Sequence, residues 1–70
     1  MAWEIETIGE TAGMVWNFLQ SRGESSLSAL EKGVEAPKPM ISMAVGWLAR
    51  EGKIKVKDEK RAVRISLREM

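Results

Sequence analysis

The spacing of the hydrophobic residues changes at Gly52, and this change restricts the possible folds of the chain more than any other feature. Before Gly52, apolar residues recur every three or four positions, which is the pattern of helices with one buried face. After Gly52 they alternate with charged or polar residues, at Ile54 and Val56 and then at Val63, Ile65 and Leu67. Alternation of this kind predicts half-buried strands. The 70 residues therefore predict one domain, 1–70, of the α+β class.

The first helix is predicted to begin near Ile8 and to end around Arg22, with residues 2–6 extended before it. Thr7 and Glu10 have the spacing of a capping box, and the glycine after Arg22 can close the helix. Its buried face is predicted from apolar residues three or four positions apart: Ile5, Ile8, Ala12, Val15, Trp16 and Leu19.

Two glycines, Gly9 and Gly13, lie inside this first helix. Each costs about 1 kcal/mol of helix stability relative to alanine. Glycines in a helix interior usually mark a place where another backbone approaches closely. We therefore expect another part of the same fold to pack against them.

The next segment predicts two further helices separated by a turn. Leu27–Gly33 is a short helix capped by Ser26 or Ser28, and the residues before it can form no more than a stub of strand. Pro39 suits the first turn of a third helix, which runs to about Glu51. The residues expected to face the core are Leu27, Leu30 and Val34, followed by Ile41, Ala44, Val45 and Leu48.

The two strands are predicted to form an antiparallel hairpin, because the residues between them, 58–61, are polar and few. Three helices followed by such a hairpin is the order of a winged helix-turn-helix, in which the hairpin is the wing. Alternation places a set of basic side chains on the face opposite the apolar one: Lys53, Lys55, Lys57, Arg64 and Arg68.

Two segments resemble a known family. Ile8–Gly13 together with Trp16, and Met43–Glu51, are similar to a family of small free-standing winged helix-turn-helix proteins of unknown function from bacteria and archaea. The resemblance covers most of the chain. It implies a free-standing winged helix, with homodimers among its members, and it implies no established activity.

The composition argues against several classes of function. The chain has no histidine and no cysteine, so the usual metal ligands, a histidine base and a thiol nucleophile are all missing. We expect no enzymatic activity, no metal and no cofactor, and the sequence gives no indication of a small-molecule ligand. Asp58 and Glu59 fall at a predicted exposed turn, where nothing would raise a carboxyl pKa. The sequence shows neither a signal peptide nor a membrane span, so we expect a cytoplasmic protein.

The distribution of charge favours a nucleic-acid partner. Residues 1–36 contain two basic and six acidic side chains, whereas residues 37–70 contain nine basic and four acidic ones. A chain with this asymmetry can present one basic face to DNA. We therefore predict a regulator-like winged helix that contacts DNA mainly through phosphates. The predicted contact residues are Lys38, Ser42, Lys55, Lys57, Lys60, Arg61 and Arg64.

The third helix favours a different partner. Of its early positions expected to face outward, only Lys38 and Ser42 carry groups suited to reading bases, so sequence preference should be weak. Methionine surfaces suit protein partners, which leaves a protein-interaction module without a DNA role as the alternative. A homodimer is also expected, because Met14 and Phe18 of the first helix lie off its core face. The predicted partner-binding residues are Trp3, Met14, Phe18, Met40 and Met43.

Overall fold

The computed structural model describes residues 5–68 and has the predicted winged-helix architecture. Three helices precede a hairpin, and a short strand between the first two helices joins the hairpin in one antiparallel sheet. In chain order the elements are α1 (Ile5–Arg22), β1 (Ser25–Ser26), α2 (Leu27–Gly33), α3 (Lys38–Arg50), β2 (Ile54–Glu59) and β3 (Ala62–Leu67). The sheet order is β1-β3-β2, which places β3 in the middle and β2 at one edge.

Helix α1 begins earlier than predicted, at Ile5 instead of Ile8. The predicted capping box is wrong, because Thr7 lies inside the helix, where its carbonyl accepts a hydrogen bond from Thr11 Oγ1 at 3.0 Å. The three-residue step from Ile5 to Ile8 continues the helical period, and the helix continues with it. The predicted end is confirmed: Gly23 has a φ of 79° and donates its N–H to Leu19 O.

The expectation for Gly9 and Gly13 is wrong. A Cβ built on either glycine would have no heavy atom within 4 Å, apart from the local backbone of α1. No part of residues 5–68 therefore packs closely on these two positions. Both glycines instead line an open groove of about 330 Å³ between α1 and the end of α3.

Helices α2 and α3 agree closely with the prediction. Ser26, and not Ser28, caps α2: its Oγ accepts a hydrogen bond from the Ala29 N–H at 3.1 Å. Helix α3 begins one residue before Pro39, and the chain leaves it through Gly52, whose φ is 73°. The side chains that are almost completely buried come from all three helices and β3: Leu19, Leu30, Met40, Ile41, Ile65 and Val15.

The hairpin is longer and its turn tighter than predicted. Asp58 and Glu59 belong to β2, and Glu59 pairs with Ala62, so only Lys60 and Arg61 form the turn. The end of the wing lies beside the start of α2, and residues of both line one open groove. Within residues 5–68, no helix is long and apolar enough to cross a membrane.

Candidate nucleic-acid interface

The register of the hairpin collects its basic residues on one face. Ile54 pairs with Leu67 and Lys55 with Ser66, and this register holds without interruption to the turn. Because directly paired residues point to the same side of a sheet, the buried Ile54 and Ile65 define an inner face against the helices. The opposite side, here called the outer face, carries five basic residues: Lys53, Lys55, Lys57, Arg64 and Arg68.

The guanidinium of Arg64 already forms ion pairs with acidic neighbours. Its Nε–H donates to Glu24 Oε2 at 2.9 Å, and Glu59 Oε1 lies 3.9 Å from the same nitrogen. Two carboxylates therefore offset the charge that was predicted to meet a phosphate. Glu24 was not identified from the sequence, because it lies 40 positions before Arg64 and only the pairing of β1 with β3 brings the two together.

Lys55 and Lys57 are the basic side chains of β2, and neither is compensated. Both are exposed, and no acidic group of residues 5–68 lies within 4.0 Å of either ammonium. Lys53, in contrast, has Glu51 Oε1 at 3.9 Å. The other predicted wing residues, Lys60 and Arg61, are exposed at the turn. The uncompensated positive charge of the wing therefore lies on β2, at the turn and at Arg68.

Helix α3 presents a surface with few polar groups. Lys38 and Ser42 are exposed as expected, and Met43 retains 37% of its accessible surface. The expectation that Met40 is exposed is wrong, since only 1% of it is accessible. Positions 40, 44 and 48 are four residues apart and lie on the same buried side of the helix. Met40 is therefore part of the core and not of a partner surface.

The predicted partner surface on α1 is present only in part. Met14 is 42% exposed, but Phe18 is half-buried against Gly33 at the end of α2. The Arg22 guanidinium lies over the Phe18 ring, 5.3 Å from its centroid, which further covers the ring. Met14, Phe18 and Gly33 line one open groove of about 430 Å³. Trp3 lies outside the described residues.

Trp47 is a further large apolar residue of α3. It is half-buried and packs against the hydrophobic core. Val56 departs from the prediction: it lies on the inner face opposite Ile65, yet 47% of it is exposed. Its position on the edge strand β2, which has only β3 as a strand neighbour among residues 5–68, accounts for the exposure.

Solved structures of other proteins share this architecture. The chain is 32% identical to protein BT2368 from Bacteroides thetaiotaomicron, with a TM-score of 0.76 over 86% of this chain and 73% of that one. A structure of HOP2 is 25% identical, with a TM-score of 0.70 over 83% of this chain and 98% of that one. The Zα domain of Carassius auratus PKZ, solved with Z-DNA, is 20% identical, with a TM-score of 0.76 over 87% and 97% of the two chains. This last likeness concerns the fold alone.

The sequence itself matches a family over nearly its whole length. Residues 1–67 match the model of the winged helix-turn-helix domain DUF2582. An uncharacterised protein of Methanocaldococcus jannaschii is 48% identical over 60 residues, which span 80% of this chain and 84% of that protein. The chain therefore belongs to the DUF2582 family of winged helix-turn-helix domains.

Proposed function

We propose that this winged helix is a non-enzymatic DNA-binding module of a regulatory kind, which holds a duplex mainly by its phosphates. The observation that supports the proposal most directly is the outer face of the wing. Lys55 and Lys57 lie there on β2, and Arg68 lies opposite Lys53. All three are exposed and have no acidic partner among residues 5–68. Phosphate contacts by such side chains release counterions, which supplies most of the affinity in sequence-independent binding. We also propose that the protein acts in the cytoplasm.

The surface of α3 supports weak sequence preference. Bases are distinguished in the major groove by side chains that donate or accept hydrogen bonds. On the exposed side of α3, Lys38 and Ser42 offer such groups early in the helix, whereas Met43 and Gly46 do not. The proposed contacts of Lys38 and Ser42 therefore position the helix and distinguish few sequences.

The structural relatives agree with a nucleic-acid role without specifying it. The HOP2 structure, at 25% identity, is described as concerning DNA recognition and protein interaction domains. The mode of contact proposed for this chain comes from its own charges.

The test is a titration of the protein into duplex DNA at several salt concentrations. We expect binding that weakens steeply with salt, and the double variant Lys55→Gln and Lys57→Gln should lower the slope of log K against log salt by about 2. The loss should be similar for unrelated duplex sequences. Lys32→Gln, an exposed lysine of α2, is the matched control and should change little.

Absence of binding even at low salt would contradict the proposal. It would favour the alternative, a protein-interaction module without a DNA role, whose supporting observation is the exposure of Met14 and Met43. Binding that depended strongly on the duplex sequence would contradict the assignment to phosphates.

A homodimer is part of the proposal. A domain of 70 residues gains much from burying further apolar surface, because its own core is small. The groove beside Met14 provides such surface, with the flank of Phe18 in its wall and Arg22 and Glu35 also lining it. A patch with one positive and one negative group around an apolar centre can pair with a copy of itself about a two-fold axis.

A further inference from the structure

Strand β2 forms an edge of the sheet. The strand order β1-β3-β2 gives it one neighbour, β3, and its other side has no strand partner among residues 5–68. Residues 55–59 are all exposed, so the edge is accessible along most of its length. An edge strand with free backbone groups is a template on which another extended chain can pair.

The register identifies the backbone groups that point outward. Arg68 donates its N–H to Lys53 O, so this opposed pair is one of the hydrogen-bonded pairs of the hairpin. Hydrogen-bonded and non-hydrogen-bonded pairs alternate along an antiparallel ladder. The pairs made by Val56 and Asp58 are therefore of the second kind. Their N–H and C=O groups point away from β3, toward the free edge.

The side chains along this edge differ between the two faces of the sheet. Lys55 and Lys57 lie on the outer face without acidic partners among the described residues. Val56 lies between them on the inner face and is 47% exposed. Glu59 also lies on the outer face, 3.9 Å from Arg64 Nε, and Asp58 lies on the inner face. A strand added along residues 55–57 would therefore find two positive charges on one face and an apolar side chain on the other.

A second copy of this chain does not suit the edge. Residues 53–68 carry seven basic and two acidic side chains, so pairing two β2 strands would bring two positively charged wings together, and like charges on neighbouring strands are destabilising. Lysines on an edge strand oppose self-pairing for this reason. The same charges attract a strand that carries acidic side chains on that face.

We propose that β2 is a docking edge for an extended acidic segment of a partner protein, which adds to the sheet as a fourth strand. The segment has acidic side chains next to Lys55 and Lys57 and an apolar side chain next to Val56. Its backbone bonds to the outward groups of Val56 and Asp58. This inference goes beyond the proposed DNA role and does not depend on it, although it involves the same two lysines.

A peptide of sequence Thr-Glu-Val-Glu-Val-Glu-Thr, acetylated and amidated at its ends, is a suitable probe. Titrated into the full chain, it should shift the amide NMR signals of residues 55–59 and slow hydrogen exchange at the Val56 and Asp58 N–H groups. A peptide with lysines in place of the glutamates should not bind. Lys55→Glu combined with Lys57→Glu should abolish binding of the acidic peptide.

The decisive variant is Val56→Pro. Because the Val56 N–H points outward, proline removes no bond from the hairpin, and it blocks strand addition at the edge. Peptide affinity should fall at least about tenfold, whereas Val56→Thr, which keeps the N–H, should change it far less. DNA affinity should be unchanged by Val56→Pro, since every lysine remains. Failure of the peptide experiment is therefore distinguishable from failure of the DNA experiment.

A second measurement does not require the variant to fold. Methylating the backbone amides of the valines in the peptide removes the N–H groups that would pair with β2 and leaves the charges of the peptide unchanged. The methylated peptide should therefore not bind the unaltered protein. Equal binding of the methylated and unmethylated peptides would show attraction by charge alone and overturn the proposal. Absence of peptide binding at low salt would overturn it as well.

Discussion

The cost of truncating a core leucine should depend on whether the space left behind is closed. Leu48 of α3 and Leu30 of α2 are both buried, with 3% and 0% of their surface exposed. Leu48, however, also lines the open groove beside Gly9 and Gly13, whereas Leu30 lines none of the grooves described above. The two substitutions Leu48→Ala and Leu30→Ala remove the same atoms from different surroundings.

The difference follows from the two parts of the cost. Both variants lose the same transfer free energy, but a residual cavity adds about 24 cal/mol per Å³. The space behind Leu48 can join the groove, so we expect a loss of about 3 kcal/mol of unfolding free energy there. The space behind Leu30 stays closed, and we expect about 4–5 kcal/mol. A domain of 70 residues has about 4–10 kcal/mol in total, so Leu30→Ala should leave it barely folded.

Urea unfolding, followed by far-UV circular dichroism and by tryptophan fluorescence, measures both losses. The unfolding curves from the two signals should coincide, and the slope of unfolding free energy against urea concentration should be unchanged in the variants that remain folded. Equal losses would show that the groove beside Leu48 is closed in solution and would refute the reasoning. An unaffected Leu48→Ala protein would contradict the orientation of α3 itself.

Two further predictions concern neighbouring positions. A Cβ at Gly33 would lie 2.8 Å from Phe18 Cζ, so Gly33→Ala should lower the unfolding free energy by about 1–3 kcal/mol. A Cβ at Gly46 would have no heavy atom of another element near it, so Gly46→Ala should raise the unfolding free energy by about 0.5–1 kcal/mol. The same urea titrations decide both, and a destabilised Gly46→Ala protein would mean that the exposed side of α3 is covered. Light scattering at micromolar concentration should give twice the 7.8 kDa chain mass, and Met14→Glu should reduce it to one chain while Gln20→Glu does not. A mass of one chain for the unaltered protein would reject the dimer.

The fold was predictable from the sequence because its signals are local and agree with one another. The period change at Gly52, the proline in the first turn of α3 and the serine that caps α2 each specify one boundary. Helix α1 was placed too late because Thr7 and Glu10 have the spacing of a cap, whereas the helix begins at Ile5 and runs through both residues. A short capping motif is weaker than an apolar period that runs through it.

The surface was harder to predict, because exposure depends on elements that are distant in sequence. Met40 is polarizable and close to the start of α3, which suggested a partner surface, yet it is buried. Alternation placed Val56 correctly on the inner face but could not show that 47% of it stays exposed on the edge strand. The pairing of Glu24 with Arg64 depends on a strand of only two residues, which no sequence period can reveal.

The wing and helix α3 are suited to different contacts, because their exposed surfaces differ. A winged helix that reads sequence needs polar side chains on α3, and a substitution there changes the bases that it recognises. Here that side of α3 includes Met43 and Gly46, while the uncompensated charge lies on β2, whose backbone edge is also accessible. The proposed duplex and the proposed acidic segment therefore both depend on the hairpin. Because Lys55 and Lys57 cannot neutralise phosphates and carboxylates at the same time, an acidic strand on β2 and a duplex on the outer face exclude one another.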